Sequence, residues 1–155
     1  MINAFMQEAI RLATENVRGG HGGPFGAVVV KDGRVVASGV NSVTLTTDPT
    51  AHAEVNAIRE ACLALGTFQL TGCEMYTSCE PCPMCLGAIY WARPDRVFYA
   101  ATASDAASAG FDDSFIYEEL KLAHAERRIS FEQIMGEAGL QPFQEWAQKT
   151  DRIRY

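Results

Sequence analysis

The chain has 155 residues, 48% of them hydrophobic and 21% charged, which is enough for one domain with a real core and excludes disorder, collagen and coiled coil. Thirteen Lys and Arg against nineteen Asp and Glu give a net charge of −6. Nucleic-acid affinity comes from clustered cations on phosphates, so a large polyanionic partner is disfavoured and no nucleic acid is expected. The first segment places Ile2, Phe5, Met6, Ala9, Ile10, Ala13 and Val17 on one helical face, and Gly19-Gly20 ends it. Phe25 to Lys31 and Arg34 to Ser38 read as strands around the turn Asp32-Gly33, a hairpin because that turn needs positive φ. Asp48-Pro49-Thr50 leads into a helix with Val55, Ile58, Cys62 and Leu65 on its apolar face, and Gly66 closes it. Cys73 to Thr77 reads as a strand, Cys82 to Trp91 as a helix stopped at Arg93-Pro94, and Arg96 to Ala100 as a further strand. After that the strand signal fades: Ser104 to Ala109 is a short helix, Phe115 to Arg127 is charged and amphipathic, and a last helix starts at Pro142.

Two strands separated by one helix lie parallel, and the hairpin supplies antiparallel neighbours. The expected fold is therefore one α/β domain over residues 1–155, a mixed sheet with helices on both faces. The longest apolar runs fall far short of the ~18 residues of a membrane span, so no membrane partner is expected. Met1 to Glu8 lacks the basic start and long apolar stretch of a signal peptide, which points to the cytoplasm. Five cysteines at irregular spacing, three of them between Cys79 and Cys85, suit a metal or catalytic site better than disulfides in that setting.

Two stretches carry chemistry. One is His52-Ala53-Glu54, at the start of the second helix; the other is Cys79-Glu80-Pro81-Cys82-Pro83-Met84-Cys85, at a strand-to-helix junction. Zinc takes His nitrogen and Cys sulfur, and a C-x-x-C pair at a helix start can aim both sulfurs at one point. The N–H groups and dipole of that helix start favour thiolates over thiols. His52, Cys82 and Cys85 make three ligands, which leaves the fourth corner to a water whose pKa zinc lowers. Glu54 stands close enough to take that water's proton and return it to a leaving amine. Each half of the pattern is weak alone, but together they complete the H-x-E…P-C-x-x-C pattern of zinc deaminases acting on bases. Cys79-x-x-Cys82 is a competing pair, and a fourth ligand at Cys79 would make a closed, structural site in a non-catalytic zinc-stabilised module. The position of Cys79 at the strand end, before Pro81, argues for leaving it out.

On these residues the chain resembles the cytidine-deaminase-like superfamily, and more narrowly its small bacterial guanine deaminases. The resemblance runs through Gly22-Gly23-Pro24-Phe25-Gly26-Ala27-Val28, Asp48 to Glu54, Tyr76 to Asp95 and Ala109 to Tyr117. It implies a three-layer α/β/α fold with a central mixed five-stranded sheet, and one zinc per subunit on His52, Cys82 and Cys85. The implied activity is hydrolysis of guanine to xanthine and ammonia, with Glu54 as proton shuttle and Glu118 as a second proton carrier. Phe25 and Trp91 would pack on the purine, Asn41 and the Ala53 backbone would bond its edge, and Asp113 would read guanine. The resemblance further implies a homodimer that exchanges C-terminal segments, bringing Tyr155 into the partner's site. Guanine carries donors at N1 and its exocyclic amine, which an ionised carboxylate accepts, whereas adenine has no ring N–H on that edge. The same zinc chemistry on tRNA adenosine, or on cytosine or cytidine, is the alternative; the tRNA version lacks the cationic surface it needs.

Overall fold

A computed structural model describes residues 3–155. They divide into two compact units, one running to Asp113 and the other Ser114–Tyr155. Helix α1 spans Ala4–Arg18 and is capped by Asn3, whose Oδ1 accepts from the Phe5 and Met6 N–H groups at 3.0 Å each. Ile2, the first residue of the expected apolar face, lies outside the described residues. Strands β1 (Gly26–Lys31) and β2 (Arg34–Val40) form the hairpin, with Asp32 at φ 49° and Gly33 at φ 72° in its turn.

A single helical turn, α2 (Val43–Thr46), follows. Periodicity does not announce it, because β-branched Val43, Thr44 and Thr46 are weak helix formers. The Ser42 carbonyl holds it by accepting from the Thr46 N–H and hydroxyl at 2.9 and 2.8 Å. Helix α3 covers Ala53–Leu65 and ends at Gly66, in the left-handed conformation at φ 63°. Strand β3 (Cys73–Cys79), helix α4 (Pro83–Ala92), strand β4 (Arg96–Ala101) and helix α5 (Ala103–Ser108) complete the first unit's elements. Arg93 stops α4 at φ 57°, immediately before Pro94, where a right-handed helical residue is disfavoured.

The strand order is β2-β1-β3-β4, with β1 antiparallel to both neighbours and β3 parallel to β4. This sheet has four strands, which corrects the five that the resemblance implied. The reason is local. Thr102 and Asp105 form a reciprocal capping box that turns the chain from β4 into α5, and no later stretch carries a β-branched run.

Strand β1 decides the layering. Its side chains alternate, so Ala27 and Val29 join Met75 of β3, Ala53, Ala57 and Ala61 of α3, and Ile89 and Ala92 of α4 in one buried cluster. Val28 and Val30 face the other way and join Tyr76, with Phe5, Met6 and Leu12 of α1 packed on them. Helices on both faces make three α/β/α layers around the sheet. Val28 and Val29 are fully buried, each stabilising the fold by about 1.5–3 kcal/mol.

The second unit holds α6 (Ser114–Lys121) and α7 (Gln141–Gln148), with 3-10 turns at His124–Glu126 and Ala138–Leu140. The Arg152 guanidinium closes the end of α7, donating to the carbonyls of Ala147 at 2.6 Å and Lys149 at 2.9 Å. No helix among the described residues is long and apolar enough to cross a membrane.

One contact fixes where α3 sits. A Cβ on Gly39 of β2 would lie 2.3 Å from the Ala53 carbonyl oxygen and 2.5 Å from the Ala57 nitrogen, so helix and strand meet backbone to backbone. Gly39→Ala should therefore lower unfolding stability by about 1–3 kcal/mol, read as a lower urea midpoint. An unchanged midpoint would show that α3 has room to move.

Candidate active site

The N-caps of two helices supply the centre of the site. His52 precedes α3 with extended backbone (φ −72°, ψ 156°), and Cys82 precedes α4 in the same conformation (φ −65°, ψ 168°). Pro83 follows at the first helical position, where its missing N–H costs nothing. The Cys85 N–H donates to the Cys82 Sγ at 3.5 Å. His52 Nδ1 lies 3.5 Å from the Cys82 Sγ and 3.4 Å from the Cys85 Sγ, and the three donor atoms all lie within 4.8 Å of one another. Tetrahedral zinc, with bonds of about 2.0–2.1 Å to nitrogen and 2.3 Å to sulfur, spaces such donors about 3.6 Å apart. The group therefore fits one zinc ion and leaves one corner open. The Cys79 thiol is directed elsewhere, toward the Thr102 carbonyl at 3.6 Å.

The charges follow from this crowding. A hydrogen bond from the Cys85 thiol pulls Cys82 down to about 4, with His52 adding to the effect against the cost of burial. The same bond, together with burial, pushes Cys85 far above the ordinary thiol range. His52 is raised by its hydrogen bond to Cys82. Glu54, in the first turn of α3, is 7% exposed, and its burial raises the carboxyl above the usual carboxylate range.

A cavity of about 590 Å³ opens on this centre, reached by His52, Glu54 and Cys82 and walled by Phe25, Asn41, Phe111 and Asp113. Phe111 meets Phe25 edge to face, with centroids 5.0 Å apart and an interplanar angle of 88°. Asp113 is also raised, first by burial and then by the Cys82 charge. An aromatic wall, a carboxylate acceptor and a buried proton carrier beside a metal-donor group suit a flat, hydrogen-bonding heterocycle.

Of the residues singled out from the sequence, the structure brings His52, Cys82, Cys85, Glu54, Phe25, Asn41 and Asp113 together. Ala53 is buried at the start of α3, where N–H groups lack intrahelical acceptors. Trp91 is 65% exposed on α4 and does not line the cavity. Glu118 and Tyr155 belong to the second unit. The Glu118 carboxylate accepts from the Lys121 Nζ at 2.7 Å on α6, and Tyr155 is 71% exposed.

Three residues that shape the site carry no individual role in the reading of the sequence, although Glu80 and Phe111 stand in stretches it singles out. Phe111 supplies the second aromatic wall. Glu80 clasps the ends of β3 and β4: its N–H donates to the Ala101 carbonyl at 2.8 Å, and its carboxylate accepts from the Ala103 N–H at 3.0 Å. Asn16 is 3% exposed on α1 and donates to the carbonyls of Gly23 and Asn41 at 2.9 and 2.8 Å. Its signal was present, since it stands three residues after Ala13 and seven after Ala9, a polar side chain on the apolar stripe.

Two outcomes test the donor set. Cys79→Ser should keep its zinc by elemental analysis, whereas Cys85→Ser should lose it; the reverse pattern would make Cys79 the ligand. Because Cys85 holds its proton without metal, zinc binding near pH 7 should release about one proton or more, and affinity should rise with pH. Calorimetry in buffers of different ionisation enthalpy measures that release, and a value of zero would refute it.

Comparison with known proteins agrees with the geometry. Residues 1–101 match the family described as the cytidine and deoxycytidylate deaminase zinc-binding region. The chain is 59% identical over 151 residues to a guanine deaminase of Bacillus subtilis, covering 97% of both chains. The X-ray structure of guanine deaminase from Bacillus subtilis superposes with a TM-score of 0.96 at 58% identity, covering 99% of each chain. A tRNA-specific adenosine deaminase of Aquifex aeolicus is 43% identical over 97 residues, 63% of this chain and 64% of that one. With a zinc-fitting His/Cys/Cys group in an α/β/α fold that matches at this level, the chain belongs to the cytidine-deaminase-like zinc deaminase family.

Proposed function

We propose that this chain is a guanine deaminase, adding water to guanine to give xanthine and ammonia. The observation that carries the reading is a single cavity shared by the metal-donor group, Glu54 and Asp113. The Bacillus subtilis guanine deaminase, matched along nearly its whole length, supports the same substrate.

When bound by His52, Cys82 and Cys85, zinc supplies a Lewis acid that activates water toward an amidine carbon. The chain's own residues do the rest. Glu54 takes a proton from the attacking water as oxygen bonds to C2, and delivers it to ring N3. The proton left on the added oxygen passes to the exocyclic nitrogen, the C2–N bond breaks, the oxygen becomes the C2 carbonyl and ammonia leaves. A carboxyl raised by burial suits this task, since a carrier must give its proton back as readily as it takes it. Phe25 packs on the purine face, Asp113 accepts from the N1–H and amine edge, and Asn41 with the Ala53 backbone bonds the remaining edge. Adenine offers no ring N–H to Asp113 and is rejected on that ground.

The reading extends to assembly and setting. It takes both units as one deaminase domain, in a homodimer whose subunits exchange their C-terminal segments and so deliver Tyr155 of the partner subunit. Within that dimer Trp91 packs on the purine, and Glu118 is a second proton carrier to the departing nitrogen. All five cysteines are free, which supports a reducing, cytoplasmic location.

Ammonia release from guanine, adenine, cytosine, cytidine and tRNA, measured side by side, should show guanine strongly preferred; preference for any other substrate overturns the assignment. Glu54→Gln should keep its zinc and lose about 10²–10⁴ in kcat. Turnover near that of the wild type would remove Glu54 from the reaction.

A further inference from the structure

We infer that Asn16 is a positioning residue for ligand recognition: from α1 it locks two loops so that the Asn41 amide presents its NH2 group to the cavity. The inference rests on the guanine reading for the identity of the ligand, though not for the geometry.

Asn16 sits on the packed face of α1 beside Ala9 and Ala13, where an apolar side chain of its size would avoid the cost of burying an amide. The amide is retained with both Nδ2 hydrogens committed, at 2.9 Å to the Gly23 carbonyl and 2.8 Å to the Asn41 carbonyl. These acceptors lie 7 and 25 residues away, on the loop before β1 and the loop after β2. The two loops approach backbone to backbone, since a Cβ on Gly22 would stand 2.2 Å from the Asn41 carbonyl oxygen, and the Asn41 N–H donates to the Phe25 carbonyl at 3.1 Å. Asn16 ties both loops to α1, bonding one carbonyl on each.

The tie determines how Asn41 meets a ligand. With the loops in this register, the N–H groups of Gly23 and Val43 both point at the Asn41 Oδ1, at 3.3 and 3.4 Å. The oxygen is thereby occupied, and the hydrogen-bond network sets which way the amide faces. With Oδ1 taken, Asn41 has its Nδ2 hydrogens left to offer the cavity it lines. Guanine carries acceptors at its carbonyl oxygen and its unprotonated ring nitrogens, so a fixed donor at Asn41 complements the fixed acceptor at Asp113. A freely rotating Asn41 would offer oxygen or nitrogen equally, and the complement would be lost. Asn16 does not line the cavity; it holds the backbones of Gly23 and Asn41, which do, and the ligand contact at stake is the Asn41 amide.

The test is a double-mutant cycle on the zinc-loaded protein, with KM and kcat for guanine measured for wild type, Asn16→Leu, Asn41→Ala and the double variant. Asn16→Leu should raise KM about tenfold, on the scale of one displaced ligand hydrogen bond, and change kcat by less than about threefold. In the Asn41→Ala background the same change should cost less than about twofold, because its effect runs through Asn41. Equal penalties in both backgrounds, or an unchanged KM, would make Asn16 a stability staple and overturn the inference. If Asn16→Leu does not fold, Asn16→Ser, which keeps one hydroxyl donor, runs the same cycle. A second readout needs no substrate. Amide hydrogen exchange at Gly23 and Val43 should accelerate about tenfold or more in the Asn16 variant as their acceptor loosens. Unchanged exchange there overturns the inference whatever the substrate is. A wild type that folds yet leaves guanine intact refutes the functional reading alone.

Discussion

Two helix starts have to meet at one point. His52 ends the extended approach to α3, Cys82 ends the approach to α4, and the site exists only where these junctions converge. Metal bonds tolerate deviations of about 0.2 Å, far less than the slack of an ordinary packed interface. That tolerance explains why so much of the first unit is fastened backbone to backbone. Gly39 lets α3 rest on β2, and Gly26 does the same for α1, where a Cβ would stand 2.5 Å from the Ala9 carbonyl oxygen. The small residues Ala53, Ala57 and Ala61 on α3 keep that helix close to the sheet. Packing of this kind transmits strain instead of absorbing it, so the geometry of the donors is inherited from the whole core.

The electrostatics of the centre are a balance between burial and helix-start geometry. Burial opposes a charge on Cys82, while the Cys85 thiol, the Cys85 N–H and His52 favour it, and the favourable side prevails. Cys85 is fully buried one turn along α4 and has the opposite outcome, because one proton shared between two adjacent sulfurs stays with it. Glu54 has no cation strong enough to offset its burial, so its carboxyl moves toward neutrality. Neighbours a few ångströms away thus drive Cys82 down while Cys85 and Glu54 are driven up.

Much of this was legible in the residues, and the limits have physical causes. The hairpin showed through Asp32-Gly33 because two successive positive φ angles leave few other residue choices. The donor set showed through His52, Cys82 and Cys85 because short-range spacing at helix starts translates directly into geometry. Helix α2 was hidden since one hydrogen-bonded turn of β-branched residues has no periodicity to detect. The sheet's strand number was misjudged because it rested on likeness, whereas the chain after β4 has cap chemistry at Thr102 and Asp105 and no strand pattern. Phe111, Glu80 and Asn16 went without a role for a shared reason: each matters through a partner distant in sequence, at Phe25, Ala103 and Asn41 respectively. A sequence shows which side chains are unusual for their place more readily than it shows what they reach.

The parallel register that pairs Cys79 with Ala101 brings β3 and β4 to an end on the same edge of the sheet. From that edge the chain after β3 goes to the metal donors on α4, while the chain after β4 builds α5 and the wall at Ala106 and Phe111. The two jobs are therefore written in separate stretches of the chain that happen to be neighbours in space. A change within the stretch from 103 to 113 can reshape one wall of the cavity without touching the chain that carries Cys82 and Cys85.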